Sequence, residues 1–330
     1  MRGVSGLILV GAVALAAAGA GGSRLAAPRT GLFEIGADGS GNRLLLGDPG
    51  LLLDFSPQRD RVLLVRHRPG GFDLEAFGLA TGHERTLVHT TNWILNGAWS
   101  PDGKTIAFDT ASNRVSLVGA AGGKPRLLAS NARQPSWAPD SRRLVYVGRF
   151  DRATTHGVLT VARSDGRSRR RLGRRGRVIA PHWSPDGRWI AYLGPSGGED
   201  SGEVNLIRVD GRRPRRFAVG SELAWSPGGR YLAFIRRGGG RPRLDVLARD
   251  TGRIRQLASS WDLAAPAWSP DGKTLAFVRY TASACGSDTK LDLVKLRGGS
   301  VTTVTALPHC VQVPAVFWSR DGRELFYVGY

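Results

Sequence analysis

The sequence predicts an all-β fold, a seven-bladed β-propeller of four-stranded blades closed by pairing of the N- and C-terminal strands. Three observations predict it. The phrase Trp-Ser-Pro-Asp-Gly stands unaltered at Trp99–Gly103, Trp183–Gly187 and Trp268–Gly272, with altered copies at Phe55–Arg59, Trp137–Ser141, Trp225–Gly229 and Trp318–Gly322. These seven copies recur every 38 to 50 residues, the period of a propeller blade. The chain also begins its strand pattern with half a repeat and ends with the other half.

Within a repeat the aromatic residue closes a first strand. Pro presets its φ, Asp bonds the turn backbone and Gly accepts a positive φ. An apolar second strand follows: Thr105–Phe108, Leu144–Val147, Trp189–Leu193, Tyr231–Ile235, Thr274–Val278 and Glu324–Val328. These runs are too short for helices and read as strands covered on both faces. Two more strands flank a second turn, as in Val204–Val209, Asp210-Gly211 and Pro214–Val219. The same plan recurs at Leu159–Ala162 with Ser168–Leu172, and at Leu244–Ala248 with Ile254–Leu257.

This phrase, followed by an Ile-Ala-Phe-type strand and an Asp-Gly turn, resembles the TolB-like β-propeller repeat, a cousin of the WD repeat. The resemblance covers about residues 31–330. It implies the fold and leaves function open, because propellers host many unrelated tasks.

Residues 1–20 read as an export signal: Arg2, an apolar core Leu7–Ala18, and Ala18-Gly19-Ala20 as the cleavage site. Cleavage leaves no stable membrane span and places the protein in the periplasm, at the cell wall or outside the cell. Residues 21–30 read as a flexible lead-in, and 31–330 as the propeller. Leu32–Ile35 and Arg43–Leu46 match the third and fourth strands of a blade whose first two come from the last phrase at Trp318. Such closure removes open sheet edges. The reading is of a monomer.

The two cysteines, Cys285 and Cys310, fall in loops on one face and read as a disulfide in an exported chain. The formal charge is +20, and Arg169, Arg170, Arg171, Arg174, Arg175 and Arg177 form a basic patch. Export argues against nucleic acid; an anionic envelope polymer, lipid headgroups or an acidic partner are better candidates. A charged edge strand that resists sheet-to-sheet pairing also accounts for the patch.

No catalytic set assembles, and no metal or cofactor site is read. Gly194-Pro195-Ser196-Gly197-Gly198 matches the hydrolase nucleophile pattern but lies between strands, where the required helix is missing. Asp38-Gly39-Ser40-Gly41-Asn42 lacks the closing Glu of a calcium loop. Among seven-bladed relatives, oligogalacturonate lyases hold a metal through axial histidines. Here His182 alone lies on a first strand, next to the channel, while His67, His89, His156 and His309 fall in loops of different sectors.

Tryptophan is more informative. Of nine, six are phrase residues and Trp189 lies on a second strand. Trp93 and Trp261 remain, each in a loop leading into a blade, on the face opposite the Pro-Asp-Gly turns. Asn96, Gln134, Glu222 and Asp262 lie on that side. Loop tryptophans on a rigid scaffold are typical binding anchors. The sequence therefore supports a non-enzymatic scaffold for a protein, peptide or envelope polymer. The alternative is a carbohydrate-active lyase or hydrolase around His182, Glu222 and Asp262.

Overall fold

The computed structural model of the protein describes residues 30–195, 201–280, 289–307, 313 and 315–329. Every regular element among them is a strand, and every pairing is antiparallel. β1 (Gly31–Gly36) and β2 (Arg43–Gly47) come first. One sheet holds β3 (Leu51–Phe55), β4 (Arg61–Arg68), β5 (Gly71–Gly78) and β6 (Glu84–Thr90). The next holds β7 (Ile94–Trp99), β8 (Thr105–Thr110), β9 (Arg114–Gly119) and β10 (Arg126–Ser130). Then come β11 (Arg133–Trp137), β12 (Arg143–Asp151), β13 (His156–Arg163) and β14 (Arg169–Arg177).

A longer ladder contains β15 (Ile179–Trp183), β16 (Trp189–Leu193), β17 (Gly202–Arg208), β18 (Arg215–Trp225), β19 (Tyr231–Arg236), β20 (Arg243–Ala248) and β21 (Ile254–Ser259). A sheet of β22 (Asp262–Trp268), β23 (Thr274–Tyr280), β24 (Thr289–Lys295) and β25 (Val301–Leu307) follows, then β26 (Val316–Trp318) and β27 (Glu324–Gly329). The terminal sheet runs β2-β1-β27-β26, with Gly31 opposite Gly329 and Gly36 opposite Glu324.

The longer ladder departs from the sequence expectation of a break between two repeats. Eleven-residue β18 pairs with β17 through its first half and with β19 through its second. No Pro interrupts Phe217–Glu222. At Gly220 a Cβ would lie 2.7 Å from the Ile235 carbonyl oxygen and the Phe234 ring, so only glycine lets the strand pass this close.

The recurring phrase builds one hydrogen-bonded turn. Ser100 Oγ donates to Asp102 Oδ1 at 2.6 Å and accepts from the Thr105 amide at 2.9 Å, and Asp102 Oδ1 also takes the Lys104 amide at 3.1 Å. Ser184, Ser269 and Ser319 repeat the bond to Asp186, Asp271 and Asp321. The seryl hydroxyl holds the carboxyls of Asp102, Asp271 and Asp321 below their usual range. Gly103, at φ 70°, supplies the left-handed residue; in the altered copies Arg59 and Ser141 adopt the same conformation at 60° and 56°.

The phrase tryptophan has a second task. The indole Nε1 of Trp137, Trp225, Trp268 and Trp318 donates to the carbonyl of Ala98, His182, Ala224 and Ala267 in turn, at 3.0 to 3.2 Å. Each acceptor immediately precedes the phrase aromatic of the preceding repeat. The repeat thus carries its own staple to the preceding repeat, each bond worth about 1 kcal/mol. Between sheets lies apolar core. Leu232, Ala233, Phe234 and Ile235 are all fully buried because both faces of β19 are covered.

Candidate binding face

The innermost strands carry a bulge three residues before the phrase aromatic. Gln134, Ala180, Glu222 and Ala265 occupy it with φ of 47–55°, and the ladder register shifts there. A bulge leaves an amide unpaired by its own sheet. The neighbouring repeat supplies the acceptor. Gln134 Oε1 accepts from the Ala180 amide at 3.0 Å, Glu222 Oε2 from Ala265 at 2.5 Å, and Asp109 Oδ2 from Gln134 at 2.9 Å. Asn96 Nδ2 donates to Asp109 Oδ1 at 2.9 Å. Asp54 Oδ2 accepts from the Trp99 amide at 2.9 Å. Gln134 and Glu222 therefore serve as half-buried links between sheets, while half-buried Asn96 holds Asp109 within its own sheet.

Burial shapes their charges. Desolvation pushes Asp54 and Asp109 up to about 6, against the pull of the amides they accept. Glu222 is raised for the same reason, with the Ala265 amide and Arg237 opposing. Arg237 ties this corner together: it donates to Asp262 Oδ1 at 3.0 Å and to Ser221 Oγ at 3.1 Å, and lies 3.7 Å from Glu222 Oε1. His182, on β15, is half-buried. Burial alone drives it down to about 4, so it is neutral at pH 7.

Trp93 and Trp261 stand in the short connections before β7 and β22, as the sequence places them. Trp93 is 47% exposed and stacks on Phe72, with centroids 5.9 Å apart and planes 4° from parallel. Its carbonyl accepts from the Ala111 amide at 2.7 Å. Trp261 is 59% exposed and lies under the Arg241 guanidinium at 4.6 Å. Ser260 beside it bonds the Pro242 and Tyr280 carbonyls. Asp262 opens β22 with its side chain about half exposed. Sequence reasoning missed Asp54, Asp109, Arg237 and Arg241. A lone acid beside an apolar strand, as in Leu-Leu-Leu-Asp-Phe, was the available signal for the first two.

The basic patch lies on β14, an edge strand that extends to Arg177. Several guanidinium groups are engaged. Arg169 donates to the Leu128 carbonyl at 2.6 Å, Arg170 to those of Val209 and Asp210, Arg177 to that of Ser201, and Arg175 pairs with Asp151 at 3.4 Å. Arg171 and Arg174 are exposed.

His67, His89 and His156 lie on β4, β6 and β13 rather than in loops, because these strands run longer than their apolar cores. Among the described residues no three His, Cys, Asp or Glu side chains cluster as a metal site. Asp38 instead accepts from the Ser40 amide and hydroxyl. Cys285, Cys310, His309, Ser196 and the expected export signal lie outside the described residues.

No family model matches the chain. An uncharacterized protein of Agrobacterium fabrum is 30% identical over 126 residues, 36% of this chain and 41% of that protein, so the match spans about two fifths of the relative. A structure assigned to TolB from Agrobacterium tumefaciens superposes with a TM-score of 0.55 at 22% identity, covering 92% of this chain and 98% of that one. The fold is a TolB-like β-propeller. An oligogalacturonate lyase solved in complex with manganese shares the propeller fold, with a TM-score of 0.65 at 16% identity over 84% of this chain and 87% of that one. Among the described residues no helix of the propeller is long and apolar enough to cross a membrane.

Proposed function

We propose that this is an exported, non-enzymatic binding propeller that takes a protein or peptide segment on the face bearing Trp93 and Trp261. The observation that carries the reading is a pair of half-exposed indoles held in place before any ligand arrives. A large, pre-positioned aromatic contributes contact area at low entropic cost. The polar groups nearby serve mainly as links between sheets, which favours binding over catalysis. In this reading residues 1–20 direct export and 21–30 lead into a closed ring of seven blades. Seven apolar clusters among the described residues, each drawn from two consecutive repeats, support that count. One joins Phe326 and Val328 to Leu52 and Phe55, across the point where the ring would close.

The test is a crosslinking pull-down from the intact envelope. With both Trp93 and Trp261 changed to Ala, capture of the partner should fall at least about tenfold, the scale of a lost hot spot. Equal capture by the double variant would remove this face from the account.

A second reading rests on Arg237 bridging Asp262 and the raised carboxyl of Glu222 at the channel mouth. Two carboxyls in unlike environments are the raw material of a carbohydrate-active site. Turnover of an acidic polysaccharide, abolished by Glu222→Gln, would favour it over binding alone.

A further inference from the structure

At the outer rim four seams are bridged by an arginine. Arg126, Arg170, Arg215 and Arg255 stand two residues before an inward-facing apolar residue of their outer strands. Each donates to a backbone carbonyl just beyond the third strand of the next repeat: Ser164, Val209, Arg249 and Leu296 respectively. The amides of those four acceptor residues bond back to Arg142, Arg188, Arg230 and Lys273. Ala37 occupies the same place in the terminal sheet, its amide bonded to the Arg323 carbonyl at 2.7 Å. The residue that should reach it is Thr302 on β25, too short to do so.

A cleft of about 480 Å³ opens at this seam, lined by Ala37, Asp271, Lys295, Thr302, Trp318 and Asp321. That volume falls in the range of ligand pockets. Asp271 and Asp321 spend one oxygen each on their turns. Among the described residues their other oxygens pair with Lys273 at 4.0 Å and Arg323 at 3.9 Å, both more than four-fifths exposed, and Lys295, also exposed, lines the same cleft. Surface cations of that kind are displaced at little cost.

We propose that this cleft docks an arginine side chain of a partner protein, supplying in trans the guanidinium that four other seams supply in cis. A planar five-donor fork matches a carbonyl flanked by carboxylates; the ammonium of lysine does not. The site is at the Pro-Asp-Gly end of the blades. Trp261 stands at the opposite end of β22, so the proposal is independent of the tryptophan face.

The experiment is an NMR titration that follows the Trp318 indole N–H, with an acetylated and amidated Gly-Arg-Gly peptide as probe. Saturable shifts in the millimolar range are expected, at least tenfold weaker with lysine or citrulline in place of arginine. Thr302→Arg should fill the cleft from within, raise the melting temperature and abolish the shifts. If that variant does not fold, Asp321→Asn keeps the turn acceptor and should weaken binding at least threefold. Equal binding of the lysine peptide, undiminished binding to a folded Thr302→Arg protein or to Asp321→Asn, or no saturable shift in the wild type would overturn the proposal.

Discussion

A chain shortened to end at Gly322 will show no cooperative unfolding transition. The missing strand, β27, lies between β1 and β26 and pairs with both. Leu325, Phe326, Tyr327 and Val328 are each at most 3% exposed. Burying four such side chains contributes roughly 6–12 kcal/mol, comparable with the entire net stability of a typical domain. Truncation also strips Leu32 and Ile35 of cover and removes Tyr327 from its stack on Phe33 at 5.2 Å. A milder lesion gives a graded version. Phe326→Ala should cost about 3–5 kcal/mol, because the ring packs on Phe55 of β3 at 5.3 Å. Circular dichroism melting distinguishes the outcomes: a shortened chain that melts sharply within a few degrees of the full protein would show that β27 is dispensable.

Replacing His182 with Asn should change the acid limb of stability by as much as about 3 kcal/mol, the free energy of a shift of about two and a half units. Its imidazole titrates near 6.5 unfolded and near 4 folded. Between these values the unfolded chain holds the extra proton. The stabilisation is therefore complete above pH 6.5 and lost as pH falls to 4. Asp54 and Asp109 act in the opposite sense. Raised from 3.8 to about 6, they keep protons in the folded state that the unfolded chain has released, so they favour the fold as pH falls through that window. In the wild type the histidine offsets part of what the two carboxyls contribute. In His182→Asn the carboxyls act alone, and the melting temperature should rise between pH 6.5 and 4 relative to the wild-type trend. Parallel curves for the two proteins would mean that His182 is not held neutral by burial.

Much of the architecture was legible because the phrase turn is local chemistry. Ser, Asp and Gly close the same bonds wherever they occur together, so the turn residues, the following apolar strand and the repeat length could be read directly. The half-repeats at the two ends were legible for the same reason, and β1 does pair with β27. The passage of β18 through two repeats was not, since it depends on how closely Gly220 approaches Phe234 and Ile235.

The site was partly legible. Trp93 and Trp261 stand outside the repeat pattern, and an indole with no place in the core is visible as a surplus. Asn96, Gln134 and Glu222 looked like ligand-facing groups because the bulge they serve leaves no mark in composition. Only the neighbouring strand reveals that Gln134 and Glu222 accept amides from Ala180 and Ala265. The arginines posed the same problem. Charge alone could not separate Arg126, Arg170, Arg215 and Arg255, which bond carbonyls of the next repeat, from exposed Arg171 and Arg174.

The whole account rests on the two ends of the chain forming one sheet that closes the propeller and fixes its loops. Native-state amide hydrogen exchange tests this residue by residue. Amides of Leu32–Ile35 that are bonded to β27, and those of Leu325–Val328 bonded to β1 or β26, should be protected to within about tenfold of those in β19, because they open only with the global unfolding of the ring. Exchange in the terminal strands as fast as in the exposed Gly238–Gly240 turn, with β19 still protected, would contradict closure.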